Sequence, residues 1–305
     1  MEIKSVTFVG QGVLGTLFGK IIIDHLGKDT VRFVANKERI ARYQKDGVYS
    51  NGEKCDFQYV DEENQGDPAD LVIFTVKFMQ LEDAIKTARN QVGENTIILS
   101  LLNGIVSEEY LSEAFGAEKV LYSVAQGMDA VMRGNQMTYM RPGRIEFGEA
   151  DGSYSEKVKA VEAFFTKAGI AHSVPDDMLK KVWSKWMLNV GANQVVTAYE
   201  TTYRAIQQEG EPREKLIAAM REVLTIANKK GINLTEADLK YWLDDVLAPM
   251  NPEGMPSMRQ DAEAHRKTEV DLFAGSIIKL GKELDVPTPV NQFLYDRITE
   301  IELNY

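Results

Sequence analysis

The feature that most constrains this chain is six residues long and lies near its start. Gly10-Gln11-Gly12-Val13-Leu14-Gly15 follows the apolar, β-branched run Val6–Val9 and opens a helical periodicity from Val13 to about Leu26. Between a strand and a helix each glycine has a task. Gly10 permits the tight turn, Gly12 lets backbone approach a pyrophosphate, and Gly15 lets helix and strand pack closely. The helix start adds N–H groups and the positive end of a dipole for phosphates. A glycine-rich βα turn that binds nothing is the competing explanation; strand context, spacing and N-terminal position weigh against it.

The strand–helix rhythm continues. Val31–Ala35 reads as the next strand, followed by a charged helix from about Lys37, and runs 71–76, 96–101 and 120–124 are short apolar segments between turn signals. Such alternation predicts a mostly parallel sheet. Segment 136–147 alternates and is aromatic, so antiparallel strands are expected there at the sheet edge, before a looser stretch at 148–152. From about Met178 strand signals end. Helical periodicity runs through 180–205, 214–230, 236–247, 258–284 and 290–303, separated by Gly- and Pro-rich breakers. The expected fold is an α/β N-terminal Rossmann domain with a mostly parallel sheet over residues 1–175, and an all-α C-terminal domain over residues 176–305.

Composition narrows the function classes. At 305 residues either domain has enough chain to bury its own core. The longest apolar runs, such as 71–76 and 97–102, are too short to cross a bilayer. Met1-Glu2-Ile3-Lys4-Ser5 lacks the basic-then-apolar layout of an export signal, so a cytoplasmic location is expected. A single cysteine, Cys55, excludes an intramolecular disulfide framework and a thiolate-rich metal cluster. The net charge of −11 argues against nucleic acid as a partner, although two local cations suffice for a phosphorylated cofactor.

An NAD site usually places an acid about 20 residues after the glycines, on the ribose 2′-hydroxyl. Here strand two runs into Asn36-Lys37-Glu38-Arg39, with no acid at its tip. Lys37 and Arg39 suit a 2′-phosphate, so NADPH is expected; solvated helix-start cations are the alternative, and NADH stays open.

In the helical half, Lys185, Asn189 and Asn193 fall at i, i+4 and i+8 and share one helical face, while Trp183, Trp186, Leu188 and Val190 take the others. A buried lysine with two carboxamides needs partners. Ketone reduction needs a proton donor for the developing alkoxide and carboxamides to orient the substrate; a purely structural polar network is the alternative. Further on, Ser257 opens what reads as a long helix, suited to capping it or holding a carboxylate, and Glu269 is a candidate partner for Lys185. His25, His172 and His265 fall outside these motifs, which argues against a histidine-based dehydrogenase, and hydride transfer needs no metal.

Together with Val76-Lys77, Leu102-Asn103-Gly104 and Pro287-Thr288-Pro289-Val290-Asn291, these motifs resemble the ketopantoate reductases (2-dehydropantoate 2-reductases) along essentially the whole chain. The resemblance implies NADPH-dependent reduction of 2-dehydropantoate to pantoate, a step of pantothenate biosynthesis, in a two-domain protein, often a homodimer, with the active site in the interdomain cleft. It implies that Lys185 is the general acid and that Glu269 positions it. Asn189, Asn193 and Ser257 then bind substrate, Asn103 stands between cofactor and substrate, and Lys77 closes on both. Gly10, Gln11, Gly12, Val13, Leu14, Gly15, Asn36 and Lys37 complete the cofactor site.

The chain departs from the family pattern at three places. Asn36 stands where the family commonly has an arginine, Gln194 where a proline commonly follows the second asparagine, and segment 199–203 replaces a polar loop. The last two suggest a reshaped substrate pocket. A branch of the family comprises D-2-hydroxyacid dehydrogenases, including NAD-linked D-mandelate dehydrogenases, acting on branched or aromatic 2-oxo acids. That activity is the runner-up. A nucleotide-sensing regulator is the non-enzyme alternative, opposed by the retention of the lysine, the glutamate and all three asparagines. A β-hydroxyacid or polyol-phosphate dehydrogenase lacks the Ser257…Glu269 pair.

Overall fold

In the computed structural model, which describes residues 1–305, the chain divides into two units, Met1–Leu179 and Lys180–Tyr305. The first is built on an eight-stranded sheet. Its strands are β1 (Val6–Val9), β2 (Val31–Ala35), β5 (Gln58–Asp61), β6 (Leu71–Phe74), β7 (Ile97–Ser100), β8 (Val120–Met128), β11 (Pro142–Gly148) and β12 (His172–Ser173), in the order β12-β11-β8-β7-β6-β1-β2-β5. From β5 to β8 all pairs are parallel; β11 runs antiparallel to β8, with Phe147 opposite Ser123. The central strands are buried on both faces, which explains why they are almost wholly apolar, with only Thr7 and Ser100 as small hydroxyl residues among them. The helices of this unit are α1 (Val13–Leu26), α2 (Lys37–Asp46), α3 (Leu81–Ala88), α4 (Ser107–Phe115) and α5 (Glu156–Lys167).

Segment 136–147 divides between two sheets. Its second part is β11, whereas β10 (Gln136–Thr138) joins a small four-stranded sheet with β3 (Tyr49–Ser50), β4 (Glu53–Lys54) and β9 (Val131–Arg133). These strands of two or three residues, and β5, carry too little periodicity to announce themselves.

The second unit is all helical: α6 (Met178–Leu188, whose first two residues belong to the first unit), α7 (Gln194–Ala198), α8 (Tyr203–Gln207), α9 (Glu211–Lys229), α10 (Glu236–Tyr241), α11 (Ser257–Glu263), α12 (Ser276–Leu284) and α13 (Pro289–Glu302). Two expected helices prove discontinuous. The one over 180–205 breaks after α7, where Glu200 adopts a φ of +48°. The one over 258–284 stops at Glu263, because His265 turns left-handed at φ +50° and Arg266 N–H bonds back to Asp261 C=O, an αL helix end. Beyond it Thr268 is held by Glu302, which receives both its N–H (2.7 Å) and its hydroxyl (2.6 Å). Three π turns, Asn189–Asn193, Trp242–Leu247 and Asp271–Gly275, lie where uniform α-helix was expected. No helix is long and apolar enough to cross a membrane.

Candidate active site

In the first unit the candidate residues gather beyond one end of the central strands. Gly10 follows β1, Asn36 follows β2, Lys77 comes three residues after β6 and Asn103 three after β7. These strands are parallel neighbours, so all four positions lie beyond their carboxyl ends, where open α/β sheets bind ligands. The sequence of numbers reverses direction at β1, between β2 and β6, and the glycine turn stands at that switch point.

The geometry of the turn explains two of its glycines by contact with the protein. Gly10 holds φ +107°, and a Cβ there would lie 2.8 Å from Val76 Cγ1 and 3.0 Å from the Thr75 carbonyl. A Cβ on Gly15 would lie 2.2 Å from the Gly10 oxygen and 2.8 Å from Thr75 Oγ1. Thr75 itself donates its hydroxyl to that same oxygen at 2.6 Å, tying the turn to the end of β6. Sequence reasoning missed this residue. Gly12 is different: its nearest neighbour to a Cβ would be Thr75 O at 3.8 Å, so the protein leaves that side open. Val13, Leu14 and Gly15 form the first turn of α1 behind it, with the N–H groups that any helix start presents outward. A closed turn with one open glycine and a helix start fits a pyrophosphate. Gln11 donates to Tyr59 Oη at 2.9 Å, while its own Oε1 is buried without a partner.

At the expected 2′ end of the cofactor, Asn36 Oδ1 caps α2 by accepting from Arg39 N–H at 2.9 Å. Lys37 Nζ is paired with Glu63 at 2.5 Å and Asp61 at 3.7 Å, and those hydrogen bonds and charges raise its pKa. Lys77 and Asn103 are half-buried, Lys77 at the start of a short 3₁₀ turn and Asn103 in the loop leading to α4.

In the second unit Lys185, Asn189 and Asn193 stand on one continuous helix, but its last turn before α7 is wider. In an α-helix four residues overshoot a full turn by about 40°; a π turn spends more residues per turn and takes back that overshoot. The three side chains therefore hold a common side of the helix. Lys185 is half-buried, whereas Asn189 and Asn193 are buried. The helix is anchored by Trp242 Nε1, which donates to Ser184 Oγ at 2.8 Å, and carries the edge-to-face pair Trp183–Trp186 on its own surface. Ser257 is the first residue of α11 and exposed; it makes no cap, since the N-cap is Pro256. Glu269 is half-buried, in the bend just before the π turn Asp271–Gly275. Both α11 and that π turn pack against the π turn Asn189–Asn193, so the helix that Ser257 opens and the turn that follows Glu269 adjoin the turn bearing Asn189 and Asn193, one turn beyond Lys185.

The two departures expected to reshape a pocket are structural in large part. Gln194 is fully buried and bonds to Val190 on its own helix and to Asn291 and Ala274 on two other helical segments. The end of segment 199–203 and the residue after it brace the loop before Ser257: Tyr203 N–H donates to Gly254 C=O, Arg204 N–H to Pro252 C=O, and burial pushes the Tyr203 phenol up to about 12. Met258 is a core residue. No group of three or more His, Cys, Asp or Glu side chains is disposed to hold a metal ion.

A glycine turn at the switch point of a parallel sheet, followed by a helical unit holding a lysine among carboxamides, defines a dinucleotide-dependent oxidoreductase. The family described as Ketopantoate reductase PanE/ApbA matches residues 6–152, and its C-terminal counterpart matches residues 177–302. The chain belongs to the ketopantoate reductase family. Among its relatives are the 2-dehydropantoate 2-reductases of Archaeoglobus fulgidus, 27% identical over 99% of both chains, and of Aquifex aeolicus, 25% identical over 97% of this chain and 96% of the relative. The same fold occurs in D-mandelate dehydrogenase with NADH and anilino(oxo)acetate, at a TM-score of 0.88 and 21% identity over 98% of both chains. It also occurs in the 2-dehydropantoate 2-reductase of Geobacter metallireducens, at 0.83 and 24% over 97% of this chain and 99% of that one.

Proposed function

We propose that this protein reduces a 2-oxo acid to the D-2-hydroxy acid, with 2-dehydropantoate as its first substrate and pantoate as product, in the cytoplasm. The observation that carries this reading is the helix with Lys185, Asn189 and Asn193 on one side, touched by the segments of Ser257 and Glu269. The reduced nicotinamide, when bound, supplies a hydride to the carbonyl carbon. Gly10, Gly12, Gly15 and the N–H groups of Val13 and Leu14 would hold the pyrophosphate, with Gln11 beside them, and Asn36 and Lys37 would face the adenosine end. Lys77 and Asn103 would contact the nicotinamide end. Lys185 Nζ gives its proton to the carbonyl oxygen as negative charge develops there, a contribution of about 10²–10⁴ in rate. Glu269 orients that ammonium. Asn189 and Asn193 donate to the oxygen and to the far hydroxyl, and Ser257 with the start of α11 takes the carboxylate.

For the cofactor, Lys37 and Arg39 support NADPH. The pairing of Lys37 with Asp61 and Glu63 favours NADH instead, because a 2′-phosphate has to displace two carboxylates from that cation. A homodimer is the assembly this reading carries, following the ketopantoate reductase of Staphylococcus aureus, described as dimeric, which shares the fold at a TM-score of 0.83.

The deciding experiment compares kcat/KM for 2-dehydropantoate with that for 2-oxoisovalerate and phenylglyoxylate. A site built to bond the terminal hydroxyl rejects analogues lacking it, since its polar groups would be left unpaired. The expected ratio is well above one. A ratio well below one removes 2-dehydropantoate as substrate and assigns the chain to the branched or aromatic 2-oxo acids.

A further inference from the structure

Gln194 has no side-chain atom in solvent, and both its amide nitrogen and its amide oxygen are hydrogen-bonded. Nε2 donates to Val190 C=O at 2.7 Å and to Asn291 Oδ1 at 3.0 Å, and Oε1 accepts from Ala274 N–H at 2.9 Å. Val190 lies in the π turn Asn189–Asn193, and Ala274 lies in the π turn Asp271–Gly275 that follows Glu269.

The bond to Ala274 has a specific cause. Along the second π turn Phe273 N–H bonds to Glu269 C=O and Gly275 N–H bonds to Val270 C=O. The ladder thus passes from four- to five-residue spacing across Ala274, whose N–H is left without a ladder carbonyl. A buried N–H in that position needs an outside acceptor. Gln194 Oε1 is that acceptor. One side chain thereby holds a backbone group in each of two π turns, one bearing Asn189 and Asn193, the other starting two residues after Glu269.

The direction of the amide is set from outside. Glu222, on α9, accepts from the N–H groups of Val290 and Asn291 at 2.8 and 3.0 Å and from Asn291 Nδ2 at 2.7 Å. A carboxylate accepts only, so Asn291 must turn its amino group toward Glu222 and its oxygen toward Gln194. Gln194 must then present Nε2 to Asn291 and Oε1 to Ala274. The polarity runs from Glu222 through Asn291 and Gln194 to Ala274, with no freedom to flip.

We infer that Gln194 is a positioning residue for the reaction. It locks the backbone of the Asn189/Asn193 turn to the segment that leaves Glu269, and so sets where Glu269 stands relative to the two carboxamides. The inference rests on the roles given above to those residues. Its signature is a loss in the oxo-acid half of the reaction with cofactor binding intact, because no partner of Gln194 belongs to the glycine turn.

The test uses the full chain and three variants, each checked for folding by circular dichroism. Gln194→Met keeps the length and removes every bond. It is expected to lower kcat/KM for the 2-oxo acid by about 10²-fold, the usual cost of misplacing catalytic groups by about 1 Å, with the Kd of the reduced dinucleotide unchanged. Gln194→Glu has matching shape, but once ionised it has no donor for Val190 or Asn291. Protonated, it regains one donor and keeps an acceptor for Ala274. Its activity relative to wild type should therefore be highest at low pH, where one of the two donors is restored, and fall as pH rises, a titration absent from wild type; equal loss at all pH values overturns the inference, as does Gln194→Met with wild-type kcat and KM. Should Gln194→Met fail to fold, the Gln194→Glu profile decides. Lys185→Ala, assayed beside them, separates the two levels: if it retains turnover the site reading fails, and if it is inactive while the Gln194 variants are normal only the positioning role fails.

Discussion

Glu108 offers a test of the first unit through pH. Its side chain is buried in the first turn of α4, where it accepts from Ser107 Oγ at 2.9 Å, and Ser107 in turn accepts from Ser100 Oγ at 2.8 Å. Burial pushes its carboxyl up to about 7, against the pull of the Ser107 hydroxyl and the backbone N–H groups of Glu108 and Ser123; neighbouring Glu109 adds to the rise. In the unfolded chain the group titrates near its ordinary 4.5. Between those two values the folded protein holds a proton that the unfolded chain has lost, so stability falls as pH rises through the window and levels off above about 7. The difference of about 2.5 pH units, at about 1.4 kcal/mol each, amounts to about 3.5 kcal/mol. Glu108→Gln removes the ionisation and should flatten that slope, leaving the variant better off than wild type at pH 8 relative to pH 5. Trp183, Trp186 and Trp242 all belong to the second unit, so tryptophan fluorescence is the wrong probe. Hydrogen exchange of β7 and α4 amides, corrected for intrinsic rates, reads the right region. If wild type and Glu108→Gln show the same slope between pH 4.5 and 7, the assignment of a buried, proton-holding carboxyl is wrong.

Further expectations follow from the two halves of the site. Lys185→Ala should fold and bind dinucleotide but lose about 10²–10⁴ in kcat, measured by the loss of reduced-nicotinamide absorbance; near-normal turnover removes it as general acid. Gly15→Ala places a Cβ 2.2 Å from backbone oxygen, and the resulting strain of about 1–3 kcal/mol should weaken dinucleotide binding about 10- to 100-fold in a fluorescence titration. An unchanged Kd would mean that the turn relaxes freely. Lys37→Ala should raise the Kd of NADPH and spare that of NADH if the lysine leaves its carboxylates for a 2′-phosphate; equal, small effects on both would show that Asp61 and Glu63 keep it.

Much of this molecule was legible along the chain because the signals are local. The glycine turn, the apolar runs that became β1, β2, β6 and β7, and the switch to helical periodicity near Met178 depend on residues within one or two turns of each other. So does the common side of Lys185, Asn189 and Asn193, which survives the π turn because a wider turn only tightens their alignment. What the tertiary structure decided has partners far away in sequence. Lys37 reads as a free cation until β5 sets Asp61, and the residues after it set Glu63, against it. The helix over 258–284 reads as unbroken until Glu302, 34 residues beyond Thr268, takes that residue's N–H and hydroxyl. Gln194 reads as an odd substitution beside a substrate asparagine; its meaning depends on Ala274 and Asn291, 80 and 97 residues on. Periodicity records which face of a segment is apolar, but not which distant acceptor will meet a backbone N–H that a π turn has released, and here that acceptor determines how the segments of the site are joined.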